Sequence, residues 1–497
     1  MKQIIFSLLC LLSVSYSIAQ TQGVAYTAVG KGVATTFLTD YQCLGINPSA
    51  LGWGTGYDDK KWTMGSSEFA FGMYSDVLTS QKLKNFSNAL WSSIKGDTSN
   101  AFDWTKQRAA VADYALAGVS VFADYNWAGV SFQGKRFGGI AFNIHENYQF
   151  YSKLNQTTTD AVINGRLASL FDSLTLNLNG IDVKVANTGS LSPDSMNAVV
   201  SGTMSVPLNL ASILNGSNIK MSWNRSFNLG YGRKVFGIEN VVEVYAGVGA
   251  RLIKSMAMFE LDATAEKINL YSSLSPIFKI NYQDILTRGK SIFNYSGGIP
   301  PAVGSGYGVD LSASTLLFGK LKVAMAVTNL GSVTYDRNVY RVKDTLVTSM
   351  QLSGLSDVNL TKSVNQLISK GGLLTLEGTE KYTLANAALF RFGASFHYKK
   401  RLAFGMDLVA PFNKSNPGSI QNTVISFGGD VRVFKWLQLS AGFFGGGLYK
   451  NNIPLGINFI KNDGAYEFGI ASRDILTFFN ENTHNLSFAM GFARFRF

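Results

Sequence analysis

The hairpin Leu389-Phe-Arg-Phe-Gly-Ala-Ser-Phe-His-Tyr398, then Lys399-Lys400, then Arg401-Leu-Ala-Phe-Gly-Met-Asp-Leu-Val-Ala-Pro-Phe412, decides the fold. Phe390, Phe392, Ala394, Phe396 and Tyr398 share one parity, and Arg391, Gly393, Ser395 and His397 the other. After the lysine pair, Leu402, Phe404, Met406, Leu408 and Ala410 are apolar, while Arg401, Ala403, Gly405 and Asp407 oppose them. Successive strand side chains point to opposite faces, so the hairpin has one greasy wall and one small or charged wall. A soluble sandwich alternates in the same way. Large apolar residues opposite small and charged ones, on strands of about ten residues, suit a tilted strand in a bilayer. The expected fold class is all-β: a transmembrane antiparallel β-barrel.

The same alternation recurs along the chain. Strands are expected at Trp62–Tyr74, Ala115–Phe132, Arg136–Tyr151, Met221–Tyr231, Val241–Ala257, Gly306–Leu317 and Leu321–Leu330. After the opening hairpin come Thr423–Val433, Leu437–Gly445, Leu455–Ile460, Ala465–Arg473 and Asn485–Phe497, making about fourteen in all. A phase change near Tyr125-Asn126 predicts a bulge, and another is expected near Ala493. Every second connection is short, as at Gly134-Lys135, Phe318-Gly319-Lys320 and Asp463-Gly464, with a somewhat longer one at Gly232–Asn240. The alternate connections are mostly long, and two carry helical periodicity, at Leu83–Ile94 and Leu360–Lys370. Short turns on the periplasmic side and long extracellular loops are the pattern of outer-membrane barrels. Trp62, Phe318, Tyr398, Phe434 and Trp436 fall at the short-turn ends, where an interfacial aromatic girdle belongs.

Before the first strand lie two further segments. Residues 1–19 read as a signal peptide, with Lys2, an apolar core and Ser17-Ile18-Ala19 before the expected cleavage. Residues 20–61 do not alternate, yet Val33, Phe37, Leu38, Leu44, Ile46 and Leu51 are too apolar for a solvated tail. They are expected to form a helical hatch or plug that folds back into the barrel of residues 62–497.

Composition limits the chemistry. Fifty glycines among 497 residues, 13% aromatics and 15% charged residues suit a barrel whose apolar positions are diluted by alternation. A formal charge of +12 comes without any basic run interleaved with aromatics, so nucleic acid is not an expected partner. Spread-out positive charge fits outer-membrane lipid and lipopolysaccharide. Cys43 is the one cysteine after cleavage, and His145, His397 and His484 lie far apart, so no metal-ligand spacing arises. Gly304-Ser-Gly306-Tyr-Gly308 lacks the spacing of a nucleotide loop and opens a strand, so no cofactor is expected.

The inward parity carries Glu243, Arg251, Asp310, Arg391, His397, Asp407, Asp430, Arg432, Glu467 and Arg473. Charges of both signs in a lumen most often pair across it, and otherwise select or gate a permeant. Ser395 beside His397 could evoke a hydrolase, but no third catalytic group is identifiable and an enzyme is not expected.

Gly30-Lys31-Gly32-Val33-Ala34, then Asp40, then Asn47-Pro48-Ser49-Ala50-Leu51-Gly52, resembles the N-terminal signature of the long-chain fatty-acid transporter family of outer-membrane barrels. Gly306-Tyr-Gly-Val-Asp310-Leu311 and Thr328-Asn329-Leu330-Gly331 are similar to strands of the same superfamily, which includes the type IX secretion shuttle barrel. The resemblance implies a fourteen-stranded barrel in the outer membrane of a Gram-negative bacterium. It also implies a hatch carrying Gly30, Gly32, Asp40, Asn47 and Pro48, and passive uptake of hydrophobic molecules. Ser49 departs from the family's usual alanine, and no ligand-pocket pattern can be placed. The expected function is a channel or transporter for small hydrophobic or amphipathic compounds. The alternative is a non-transporting anchor that docks a secretion-system or surface-assembly partner.

Overall fold

The computed structural model describes residues 25–497 except 58, 80, 83–103, 135, 239, 281–296, 298, 353, 355–373, 400, 421, 447–448 and 480–483. Fourteen strands form a closed antiparallel ladder. They are β1 (Trp62–Tyr74), β2 (Val119–Gly134), β3 (Gly138–Lys153), β4 (Asn218–Ile238), β5 (Val242–Ala263), β6 (Gly304–Leu317) and β7 (Leu321–Tyr335). The ring continues with β8 (Leu389–Tyr398), β9 (Leu402–Pro411), β10 (Val424–Phe434), β11 (Leu437–Gly446), β12 (Leu455–Lys461), β13 (Tyr466–Ser472) and β14 (Asn485–Arg496). Each pairs with its neighbours in order, and β14 pairs with β1 from Thr63↔Arg496 to Tyr74↔Asn485, which closes the barrel. Closure leaves no strand edge within the bilayer, as a spanning sheet requires.

Alternation sorts the wall by chemistry. Met64, Leu229, Val248, Leu311, Met325, Phe404, Phe427 and Ile470 point outward and are exposed, while Glu68, Asp310, Arg391, Asp407, Glu467 and Arg494 are buried on the inside. A monomer in water would not present so continuous an apolar belt. The barrel spans a membrane. The five girdle residues named above are all exposed at the short-turn end.

Several boundaries move. Residues 115–117, read as the start of a strand, close the helix Trp104–Ala117, and Gly118 at φ +92° begins the turn into β2. A short apolar run is compatible with either element, and periodicity alone does not separate them. Both β4 and β5 run well beyond their expected ends, so the longer connection expected at 232–240 shrinks to the few residues between Ile238 and Val242. The phase change in β2 falls between Asn126 and Ala128, with Trp127 left unpaired, and the register of β14 on β13 shifts opposite Phe492-Ala493. The regions 1–24, 83–94 and 360–370, including the signal peptide and both expected loop helices, lie outside the described residues.

Beyond the barrel, the long connections fold together. Strands Leu346–Met350, Val199–Asn209, Ser173–Leu178 and Ile181–Ala186 form a separate four-stranded sheet in that order. Phe171, Leu210, Ile213, Leu261, Leu270, Tyr340 and Met350 share a buried core there. Its members come from connections far apart in sequence and from the end of β5, so no local pattern announces it.

Candidate functional site: the occupied lumen

Residues 25–57 lie inside the barrel and touch strands around most of its circumference. The inner wall is shaped to them, mostly by glycine. A Cβ on Gly428 would stand 1.8 Å from the Lys31 carbonyl oxygen, and one on Gly65 would stand 1.8 Å from the Tyr41 hydroxyl. Gly30 meets Gly456 backbone to backbone, where a Cβ on Gly30 would come within 2.5 Å of the Gly456 Cα. The glycine content therefore reflects close approach by the inner segment as well as strand bending.

Polar contacts fix the segment along its length. Lys31 Nζ pairs with Asp430 and sits 4.8 Å over the Phe37 ring. Gly32 takes φ +72° and turns the chain toward Val33. The amides of Ala34 and Thr35 donate to Asp407 Oδ2 at 2.6 and 2.9 Å, and Thr35 Oγ1 adds a third bond at 3.1 Å. Asp40, fully buried at φ +55°, accepts from the Gln42 amide through one oxygen and pairs with Arg494 through the other. Arg494 also reaches Glu467 at 3.0 Å, and Glu467 takes Arg496 at 2.6 Å and a bond from Asn458. This arrangement satisfies charges that would otherwise be costly so far from water. Tyr41 Oη and Gln42 Nε2 donate to Glu68, at 2.8 and 2.7 Å. Asn47 Nδ2 donates to the Thr35 carbonyl, closing the intervening loop, and Pro48 opens the 3₁₀ turn Pro48–Trp53. Pro is suited to that first helical position because its missing amide would have no partner there.

Ser49, the departure from the family pattern, is a wall anchor. Its amide donates to Ser312 Oγ at 2.8 Å and its hydroxyl to Ser314 Oγ at 2.7 Å. Alanine could keep the first of these bonds and not the second. Glu68, Ser312, Ser314 and Arg494 are among the contact residues that sequence reasoning passed over. All four sit on inward parity within strands that were recognised, so parity was the available signal.

The inward residues singled out in the sequence have different surroundings. Asp407, Asp430 and Glu467 belong to the contacts above. Arg251 grips Asp310 through both carboxylate oxygens at 3.0 Å, and the Asn329 amide, in a β7 bulge at φ +63°, donates to Asp310 at 2.7 Å. Glu243 pairs with Lys234, and Arg432 donates to the Lys435 carbonyl; both sit by tight turns at the short-turn end. His397 hydrogen-bonds Ser395 at 2.8 Å and packs against Phe37 with ring centroids 5.4 Å apart. Arg473, just past β13, lies 4.4 Å over the Phe122 ring.

Arg391 differs from the rest. It is 4% exposed, and its Nε has no hydrogen-bond partner among the described residues. It borders a cavity of about 50 Å³ between the inner segment and the wall. The other lining comes mainly from Ala25, Val29, Val33, Ile46, Val409, Val424 and Phe444, together with Asp407, Ser426 and Arg473. A second cavity, of about 90 Å³, has a mixed lining that includes His145, Arg251, Asn329 and Asn386 as well as Val333 and Leu384. Cys43 is fully buried, and burial pushes its thiol well above the ordinary range, with Asp40 adding to the effect. No cluster of metal-ligating side chains occurs among the described residues.

One group breaks the rule of an apolar outer wall. Glu146 and Arg225, cross-strand partners on β3 and β4, share the face of Tyr125 and Trp127. Arg225 binds both Glu146 oxygens at 3.0–3.2 Å, and the Trp127 and Trp223 indole N–H groups donate to the same carboxylate at 2.8 and 2.5 Å. The pair is tolerated on this face because aromatic rings cover it and indole donors complete it.

No protein-family model matches the chain, and no curated protein matches it. Among solved structures it is similar to the toluene transporter TodX of Pseudomonas putida, at 10% identity over 97% of this chain and 99% of that one, with a TM-score of 0.40. The toluene transporter TbuX of Ralstonia pickettii is 11% identical over 96% and 99%, with a TM-score of 0.41. A FadL homologue of Pseudomonas aeruginosa is 10% identical over 97% of each chain, with a TM-score of 0.39.

Proposed function

We propose that the protein is an outer-membrane barrel that admits small hydrophobic or amphipathic compounds past a displaceable hatch. The observation that carries this reading is the cavity beside Arg391. Most of its lining is apolar, the buried Arg391 guanidinium and the Asp407 carboxylate stand in it, and half of its lining belongs to the inner segment. Such a site suits a compact apolar molecule with at most one polar or anionic end. Movement of the segment would open the cavity to the lumen. Many of the hatch contacts are polar bonds distributed over several strands, which can be exchanged for water, beside small apolar clusters such as Tyr26 and Val29 against Ala70, Phe122 and Ala489.

Deleting residues 20–52 tests the reading. The truncated protein should insert normally, conduct more than the intact protein in planar bilayers, and pass a small aromatic solute into liposomes faster. Unchanged conductance and unchanged uptake would remove the hatch role.

A second reading is an anchor that docks a partner. The hatch and its ion pairs occupy much of the lumen, and an ordered sheet stands outside the barrel. Solute uptake that is absent in both the intact and the truncated proteins would favour it.

A further inference from the structure

The outer sheet ends on the strand Ile181–Ala186, which among the described residues has a neighbouring strand on one side only: Ser173–Leu178. The two are joined by Asn179-Gly180, at φ +51° and +88°, the two positive angles of a type I′ hairpin. In such a hairpin the residues flanking the turn exchange hydrogen bonds, so Ile181, Val183 and Val185 direct their amides to Ser173–Leu178. Asp182, Lys184 and Ala186 therefore direct theirs to the open edge. Ile181 is 69% exposed and Val183 is 39% exposed, and the apolar stripe they continue, Leu174 and Leu176, is buried.

An exposed edge of this kind is usually blunted by charge, lysine above all. Here the charges complement one another. Turned about a two-fold axis through Val183, the strand pairs with itself so that Asp182 faces Lys184 of the second copy and Lys184 faces Asp182. Ile181 meets Val185, and Val183 meets Val183. The open-edge amides and carbonyls of Asp182 and Lys184 fall in the hydrogen-bonded positions of that register, with Val183 in the closer, non-bonded position. Geometry, apolar face and charge all select one register. An unrelated edge would not set an opposite charge against both Lys184 and Asp182, the latter of which accepts from Asn177 Nδ2 within its own hairpin.

We propose that Ile181–Ala186 is a self-association edge, through which two copies of this chain join their outer sheets. The contact is isologous, as a two-fold dimer requires. It lies outside the barrel wall and does not depend on what passes through the lumen.

The test uses full-length protein in detergent. Val183→Cys should give a disulfide-linked dimer on mild oxidation, because the two side chains oppose each other across the axis. Val206→Cys, on an exposed residue of the same sheet, should not, and the native Cys43 is buried. Sedimentation should show Asp182→Lys and Lys184→Asp each weakening the dimer by about tenfold, since both charge pairs become repulsive. The double exchange D182K/K184D should restore it. Heat-modifiable mobility reports that the barrel is folded in each variant. A monomer at every concentration, equal crosslinking at positions 183 and 206, or a dimer indifferent to the charge exchanges would overturn the proposal.

Discussion

Asp407 and Phe404 lie three residues apart on β9 and face opposite surroundings. Phe404 is 54% exposed on the lipid side, whereas Asp407 is buried and holds the amides of Ala34 and Thr35. Phe404→Arg should destabilise the barrel by about 2–4 kcal/mol, read as a shift in its unfolding midpoint in urea. Asp407→Asn adds no charge to lipid and should leave that midpoint nearly unchanged. It weakens charge-assisted bonds to the inner segment, so amide exchange at Ala34 and Thr35 should accelerate. Equal destabilisation by the two changes would contradict the assigned faces. Parity alone was enough to assign Phe404 outward and Asp407 inward. The partners of Asp407 come from more than 370 positions earlier, and no spacing rule links them.

Among the elements, β14 closes the ring. Lys61 and Trp62 donate to the Phe497 carbonyl at 3.0 and 2.8 Å, and the Phe497 amide returns a bond to Trp62. Deleting Phe497 removes this seam together with an exposed aromatic at the girdle. Outer-membrane yield and the heat-modifiable band should both fall sharply; normal values would show that closure starts elsewhere. The strands were legible because each alternates locally, and even the bulges near Asn126 and Ala493 left a change of phase. The helix Trp104–Ala117 and the outer sheet were not. The first ends in an apolar run that fits two kinds of element, and the second is assembled from connections whose apolar residues meet only in three dimensions.

For the whole molecule, the inner segment occupies the lumen and contacts most of its wall. Cys43 sits on that segment with no exposed surface and a thiol that burial keeps protonated. In intact protein in proteoliposomes it should resist maleimide for hours, and urea should expose it together with the loss of the folded band. Labelling within minutes at native conditions would mean that the segment leaves the lumen unaided.

The glycines of the inner wall have a consequence for how such a protein can change. Gly65, Gly428 and Gly456 are contours cast around one particular filling, and bulk added to either surface collides with the other. Plug and wall behave as a mould and its casting. A segment borrowed from a different barrel would arrive with its high points over the wrong hollows, even if its length and polarity were right. Descent along this lineage would then proceed by paired adjustments, each small enough for both surfaces to absorb.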